Sequence, residues 1–371
     1  MIRRFVMPTV AQLLPLLGSE YEAKCLELNI IQRKRKIETP ADLMLLCLLH
    51  LINGCSLVDI SEIARLANIA EISDVAFMKK FALCGEWFEW ITSQLATSAL
   101  AGYEKPSYLS AYRPTAVDAS EVVEKGRSGE TYRLHYAIDI FSLQSRYYKI
   151  TTEAVGESLT NFKFEKGDLA LGDRAYGTIK GIEHCIACGA DYMLRLRSNC
   201  FYVYDADGNR ISILSAASGL NYEESVEFTG YIHRGKNGNI PVRICVRRKD
   251  KEACGKSRKR TARNEVRRQR TYSEAAKELN EYIVIATSLP ESVTLESIME
   301  TYRYRWQIEN LFKRMKSIMN FGDLPKKSEA SSLSWLKGKL MVALLMETLI
   351  SGSFISPYSD FEEGSQCLEG V

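Results

Sequence analysis

Over the first hundred residues the apolar positions recur at helical spacing. Pro40-Ala41-Asp42 opens an apolar segment, and Ser56 to Ala67 repeats Leu57, Ile60, Ile63, Ala64 and Ala67 three or four apart. Beyond Asn68, Ser73-Asp74 offers a cap for a second short helix through Phe77, Met78 and Phe81. Two short helices joined by a tight link fit a helix-turn-helix and an ordinary helical bundle about equally.

From Arg113 the period shortens to that of strands. Pro114-Thr115-Ala116-Val117-Asp118 ends an extended segment. Tyr132–Phe141 and Arg146–Thr152 are β-rich runs parted by Ser142-Leu143-Gln144-Ser145, which predicts a hairpin. Leu169-Ala170-Leu171-Gly172-Asp173 is a short buried-strand pattern, Ile179–Gly189 is helical, and Tyr192–Leu196 is another strand. This order predicts an α/β fold, a mixed sheet with helices on its faces. Residues 199–281 interrupt it with short strands at Phe201–Tyr204, Ser225–Ile232 and Pro241–Val246. Tyr282–Thr287 then restores a buried strand, so 199–281 reads as a β-rich subdomain inserted into the α/β core and not as a continuation of its sheet.

Past Pro290, Thr294 and Glu296 start a long helix. At about 100° per residue, Tyr302, Arg305, Glu309 and Lys316 fall on one stripe about 60° wide and roughly 21 Å long. Ile308, Leu311, Phe312, Met315 and Met319 fall on the neighbouring face. The polar stripe suits the joint holding of a metal and a phosphate backbone. Spacing alone fits equally a surface helix with an Arg305–Glu309 ion pair.

The chain has 371 residues, 46% of them hydrophobic, enough for two or three domains. The net charge of +3 says little, but its distribution says more. Residues 247–270 carry twelve Lys and Arg against three acids, a surplus of nine, including Arg258, Lys259, Arg260, Arg263, Arg267 and Arg268. The tail from Ser351 has four acids and no Lys or Arg. Such asymmetry is expected of a polyanion binder, against the plainer reading of a solvated basic helix. Ten scattered cysteines suit a reducing cytosol, and Cys185-x-x-Cys188 after His184 reads as helix packing because no second pair stands at zinc spacing. The first residues carry no clear secretory signal, and the apolar runs Leu43–Ile52 and Leu340–Leu345 are too short to span a bilayer. A cytoplasmic protein without membrane contact is expected. His50, His135, His184 and His233 share no motif, which argues against a histidine-based hydrolase.

Tyr302-x2-Arg305-x3-Glu309-x6-Lys316 resembles the Y-R-E-K signature of bacterial DDE transposases of the insertion-sequence-four type. Trp306, Ile308 and Phe312-Lys313 are similar to the residues around it. Gly172-Asp173-Arg174-Ala175-Tyr176-Gly177 resembles the family's second-aspartate motif, and Val117-Asp118-Ala119-Ser120 its first. The resemblance spans about residues 110–345.

It implies a ribonuclease-H-like mixed sheet with helices on both faces, interrupted by a β-rich insertion and preceded by an all-α domain. The expected divisions are a helical, DNA-binding domain at 1–105, a catalytic core at 106–198 and 282–350, a basic insertion at 199–281 and an acidic tail at 351–371. Asp118, Asp173 and Glu309 are the implied catalytic residues and ligands of two Mg²⁺ ions, with Mn²⁺ as substitute. Three acids converging without cations would repel. Tyr302, Arg305 and Lys316 are the implied phosphate contacts. Arg174, Tyr176 and the cations of 258–268 are further DNA contacts, and Tyr282 is the candidate for stacking on a flipped base. Asp139 and Asp168 match no motif and are read as structural. The implied partners are transposon ends and target DNA, held by a homodimer at the bacterial nucleoid. Two rival readings stand beside this one: a ribonuclease-H-like nuclease or resolvase that cuts without joining, and a non-catalytic DNA-binding descendant.

Overall fold

The strand periods that begin at Arg113 become one mixed sheet in the computed structural model, which describes residues 10–32, 36–96, 104–124, 131–197, 201–234, 238–319, 321, 323–324 and 328–352. The acidic tail from residue 353 onward lies outside them. The described strands are β1 (Arg113–Glu124), β2 (Thr131–Asp139), β3 (Ser145–Thr152), β4 (Asp168–Gly172), β5 (Asp191–Arg195), β6 (Val203–Tyr204), β7 (Arg210–Ile211), β8 (Ser225–His233), β9 (Asn239–Arg248), β10 (Tyr282–Thr287) and β11 (Asp323–Leu324). Five helices precede them: α1 (Tyr21–Glu27), α2 (Pro40–Asn53), α3 (Leu57–Leu66), α4 (Asp74–Ala82) and α5 (Gly85–Ala96). The rest are α6 (Ile179–Ala187), α7 (Ile213–Ala216), α8 (Lys251–Arg268), α9 (Glu274–Leu279), α10 (Leu295–Tyr304), α11 (Trp306–Met319) and α12 (Glu329–Gly352).

The sheet order is β3-β2-β1-β4-β5-β10-β9-β8-β6-β7, with β11 beside β1. Strands β1, β2 and β3 form an antiparallel meander. Strands β4 and β5 run parallel to β1, joined by the crossover helix α6. Strand β10 is antiparallel to both β5 and β9. The expected separate subdomain at 199–281 is therefore corrected: its strands continue the sheet. The reason is an edge. β10 would otherwise present a free row of backbone groups, and β9, with Val242, Ile244 and Val246 buried, covers it.

Alternation along the strands sends side chains to two cores. Ala116, Leu171, Met193, Cys245 and Ile285 face α10, α11 and α12. Val117, Ala170, Leu194, Ile244 and Val284 face α6 and the short helices α7 and α9.

Helices α3 and α4 form as their caps predict. Ser56 and Asp59 make a reciprocal capping box, and Ser73 accepts from the Ala76 backbone N–H. The N-terminal helices do not keep a core to themselves, since their apolar residues belong to the same buried cluster as α12 and one sheet face. Helix α12 is buried on nearly every side, with Leu336, Leu340, Met341 and Leu345 all at 1% exposure or less. A Cβ on Gly338 would stand 2.7 Å from the Leu51 Cδ1, so glycine there lets α12 and α2 cross closely without moving that side chain. Ser334 Oγ donates to the Ala82 carbonyl at 2.9 Å, and Lys337 pairs with Glu89 at 2.6 Å. No helix among the described residues is long and apolar enough to cross a membrane.

His135 on β2 is completely buried, with Nε2 3.0 Å from Thr151 Oγ1. Burial lowers its pKa from 6.5 to about 4, and Arg133 and Lys149 add to the effect. Above pH 6.5 both the folded and the unfolded chain hold it neutral. As the pH falls from 6.5 toward 4, the unfolded chain takes up a proton that the folded one refuses, so stability drops. Chemical denaturation across that window should show a shallower fall for His135→Gln than for the native sequence. Parallel curves would mean that His135 is not the group responsible.

Candidate active site

Asp118 lies inside β1, opposite Tyr136 of β2. Alternation gives it the face of Ala116 and Val122, on which α11 packs. Its Oδ1 accepts from the Ala119 N–H at 2.8 Å. Burial pushes its pKa up to about 7 against that hydrogen bond; Asp173 and Glu309 raise it further, and Arg305 opposes them.

Asp173 directly follows β4, in a turn that its own side chain stabilises by accepting from the Ala175 N–H at 2.7 Å. The flanking glycines are steric necessities. A Cβ on Gly172 would come within 2.7 Å of the Tyr176 Cβ, and one on Gly177 within 2.5 Å of the Arg195 carbonyl oxygen. Tyr176 is fully enclosed, 6.0 Å from the Phe162 ring, so its packing holds the turn and its ring does not reach solvent.

The single long helix expected after Thr294 is two helices. α10 ends at Tyr304 and α11 begins at Trp306, with a turn at Arg305 between them. The break has no proline or glycine behind it. On its α10 side, the buried Tyr302 donates its hydroxyl to the Gly172 carbonyl at 3.2 Å, and burial raises its pKa to about 12. Tyr302 is thereby tied to the residue before Asp173 and is 7% exposed. On its α11 side, the Arg305 Nη2 donates to Glu309 Oε1 in a short ion pair. Arg305 is 8% exposed, and its Nε and Nη1 are buried without a hydrogen-bond acceptor. Glu309 and the exposed Lys316 share the outer face of α11 with Trp306, whose ring lies 4.8 Å from Lys313 Nζ.

Two aspartates and a glutamate are hard oxygen donors of the kind that suits Mg²⁺ or Mn²⁺. In this conformation the Arg305 guanidinium is a cation shared among them, being paired with Glu309 and felt electrostatically by Asp118 and Asp173. No three acidic, histidine or cysteine side chains among the described residues are drawn close enough to hold an ion together. The donor set fits a divalent metal, while Glu309 is engaged elsewhere. At the C-x-x-C, Cys185 is buried and His184 Nε2 contacts the Phe162 carbonyl oxygen at 2.9 Å, in keeping with packing. Asp139 caps its own turn through the Phe141 and Ser142 N–H groups, and buried Asp168 pairs with Arg113 and Arg146.

A cleft of about 520 Å³ that shares Tyr302 with this site is walled by Arg195, Arg247, Arg248, Lys249 and Arg303, with Glu223 and Asp250 also on its wall. Arg174 reaches Asn280 Oδ1 at 3.0 Å. Burial, with Arg195 as the next cause, lowers Arg174 to about 10 and Lys249 to about 8. Like charges crowded in this way favour an incoming anion. Helical and strand periods alone do not single out Arg195, Lys249 or Arg303. The local signals were the basic run at 247–270, which contains Lys249, and Arg195, a cation interrupting the apolar strand read at 192–196.

Helix α8 presents Lys259, Arg260, Arg263, Arg267 and Arg268 to solvent and buries Cys254 and Thr261. Arg258 is spoken for, with its Nε and Nη2 on the two oxygens of Glu281 at 2.5 and 3.0 Å. Tyr282 is 5% exposed and faces the core of α6, whereas Ile283 lines the cleft.

The family described as the transposase DDE domain matches residues 110–345. Across 91% of the chain and 92% of the relative, the protein is 27% identical to the putative transposase InsL of insertion sequence element IS186A from Escherichia coli strain K12. It is 27% identical, with the same coverage, to the transposase of element IS421 from Escherichia coli. A shorter match, 28% identity over 48% of the chain and 41% of the relative, is to the transposase of element IS231F from Bacillus thuringiensis subsp. israelensis.

Proposed function

Because the chain belongs to the DDE-domain transposases, we propose that it nicks DNA at the ends of an insertion sequence and joins the freed 3′-hydroxyl to target DNA, with Asp118, Asp173 and Glu309 as its catalytic acids. The observation that carries this reading is their mutual electrostatic reach: residues from β1, the turn after β4 and α11 bear on one another and on Arg305. The order β3-β2-β1-β4-β5, with its antiparallel meander and two parallel strands, supports a ribonuclease-H-like core.

Asp118, Asp173 and Glu309 would hold two Mg²⁺ ions, or Mn²⁺ in their place, which supply Lewis-acid stabilisation of charge developing at phosphorus. The remaining work falls to the chain's own side chains. Arg305 offers unbonded N–H groups to a phosphate, and Lys316 offers a point charge two turns beyond Glu309. Tyr302 acts through the backbone, fixing α10 against the Asp173 turn. Arg174 and the cations of the cleft draw in the backbone next to the cut. Two transposon ends call for two active sites, so a pair of protomers assembles on DNA in the bacterial cytoplasm.

The exposed cations of α8 touch phosphates without reading sequence. Replacing Arg263, Arg267 and Arg268 together by alanine should weaken binding about equally for any duplex. The slope of log affinity against log salt should flatten by about 0.9 for each phosphate that the variant no longer neutralises. Fluorescence anisotropy over a salt series measures both, and an unchanged slope rejects the assignment.

The overall test is incubation with Mg²⁺ and DNA carrying the element's own ends. Nicks exposing 3′-hydroxyls, followed by joined products, are expected. Cutting without joining would favour a nuclease, and no cutting would favour a binding protein.

A further inference from the structure

We propose that Arg305 is an internal stand-in for the metal: in the free protein it holds Glu309 out of the ion site, and a DNA phosphate takes the guanidinium and releases Glu309 to join Asp118 and Asp173. The proposal rests on the catalytic reading above.

Three observations converge on it. The Arg305 Nη2–Glu309 Oε1 pair is formed on adjacent turns at the start of α11, with Arg305 only 8% exposed and the Glu309 side chain 36% exposed. The same guanidinium keeps Nε and Nη1 buried with no acceptor in good hydrogen-bond geometry, the Tyr302 hydroxyl being a close polar neighbour, so an arriving acceptor would be well met. No three acids among the described residues are gathered for an ion while that pair stands.

A phosphodiester supplies what the buried guanidinium lacks. Its two free oxygens match the planar fork of arginine, and the bidentate bond satisfies donors that the single Glu309 oxygen leaves idle. The turn between α10 and α11 lies at Arg305 itself, so the side chain can turn toward DNA without dragging a continuous helix. Glu309, already partly exposed, then faces two aspartates with no counterion and binds a divalent cation in place of the arginine. Phosphate and metal thus become coupled ligands, each raising the affinity of the other by one common factor. An ion would be recruited fully only where DNA already lies in place.

The test is Mn²⁺ titration of the full-length protein at constant ionic strength, with and without a short duplex of arbitrary sequence. Asp118→Asn runs in parallel to subtract ions held by the DNA alone. Wild type should bind Mn²⁺ about tenfold more tightly with the duplex, and duplex affinity should rise by the same factor when Mn²⁺ is present. Free Arg305→Gln should bind Mn²⁺ more tightly than free wild type, and the duplex should narrow the gap. Arg174→Gln removes an equal nearby charge that does not touch Glu309, and its shift should be smaller.

Equal shifts in Arg305→Gln and Arg174→Gln, or a wild-type affinity indifferent to the duplex, overturn the proposal while leaving the catalytic reading intact. Unchanged Mn²⁺ binding in Asp118→Asn overturns both. Should Arg305→Gln fail to fold, the wild-type comparison decides alone.

Discussion

Asp118→Asn, Asp173→Asn and Glu309→Gln should each abolish strand cleavage, lowering its rate by about a thousandfold or more, while DNA affinity measured without divalent metal is retained. The amides keep the shape of the carboxyls. Asp118 Oδ1 can still accept from Ala119, and Asp173 Oδ1 from Ala175, so the turns that position them survive. What disappears is the negative charge that opposes a cation. Gel assays of nicking together with anisotropy of the same duplex check both halves. Robust cutting by any one variant removes that residue from the catalytic set, and a failure to bind would show that the change harmed the fold instead.

Arg243→Met should lower stability by about 3 kcal/mol, as expected when one partner of a buried network is removed. Arg243 on β9 is 5% exposed. Its Nη1 donates to the Pro290 and Val293 carbonyls, both at 2.7 Å, and its Nε and Nη2 donate to Glu227 Oε2. These carbonyls lie just before Thr294, the cap of α10. The variant strands the Pro290 and Val293 carbonyls, leaves the exposed Glu227 carboxylate to solvent, and loosens the start of the helix that ends at Tyr304. Denaturant unfolding measures the loss. A change below about 1 kcal/mol would mean the loop finds other donors.

The sequence alone exposed the strand through Asp118 and the one leading to Asp173, because short apolar runs next to aspartate are local patterns, but β1 runs on to Glu124 past the end expected at Asp118. The glycines around Asp173 were visible, but their reason was not. Gly177 meets the carbonyl of Arg195, a neighbour only after β4 and β5 pair. The helix break was hidden for a similar cause. Helical spacing runs without interruption from Tyr302 to Lys316, and two long-range or cross-turn attachments, Tyr302 to Gly172 and Arg305 to Glu309, stand on either side of the turn. The insertion misled through its short strands. Periodicity identifies a strand but not its neighbour, so β8 and β9 gave no sign that they would extend the same sheet. Tyr282 and Ile283 show the limit of alternation: it separates two faces without telling which one carries the cleft.

The placing of α12 sets an order of events on the ribosome. The early helices α2, α4 and α5 find their packing partner in α12, which is made much later; Ser334 and Ala82 of α4, for instance, are 252 residues apart. Until α12 emerges, the early helices wait with an uncovered apolar seam, and the N-terminal region can close only after the whole sheet between them has been made.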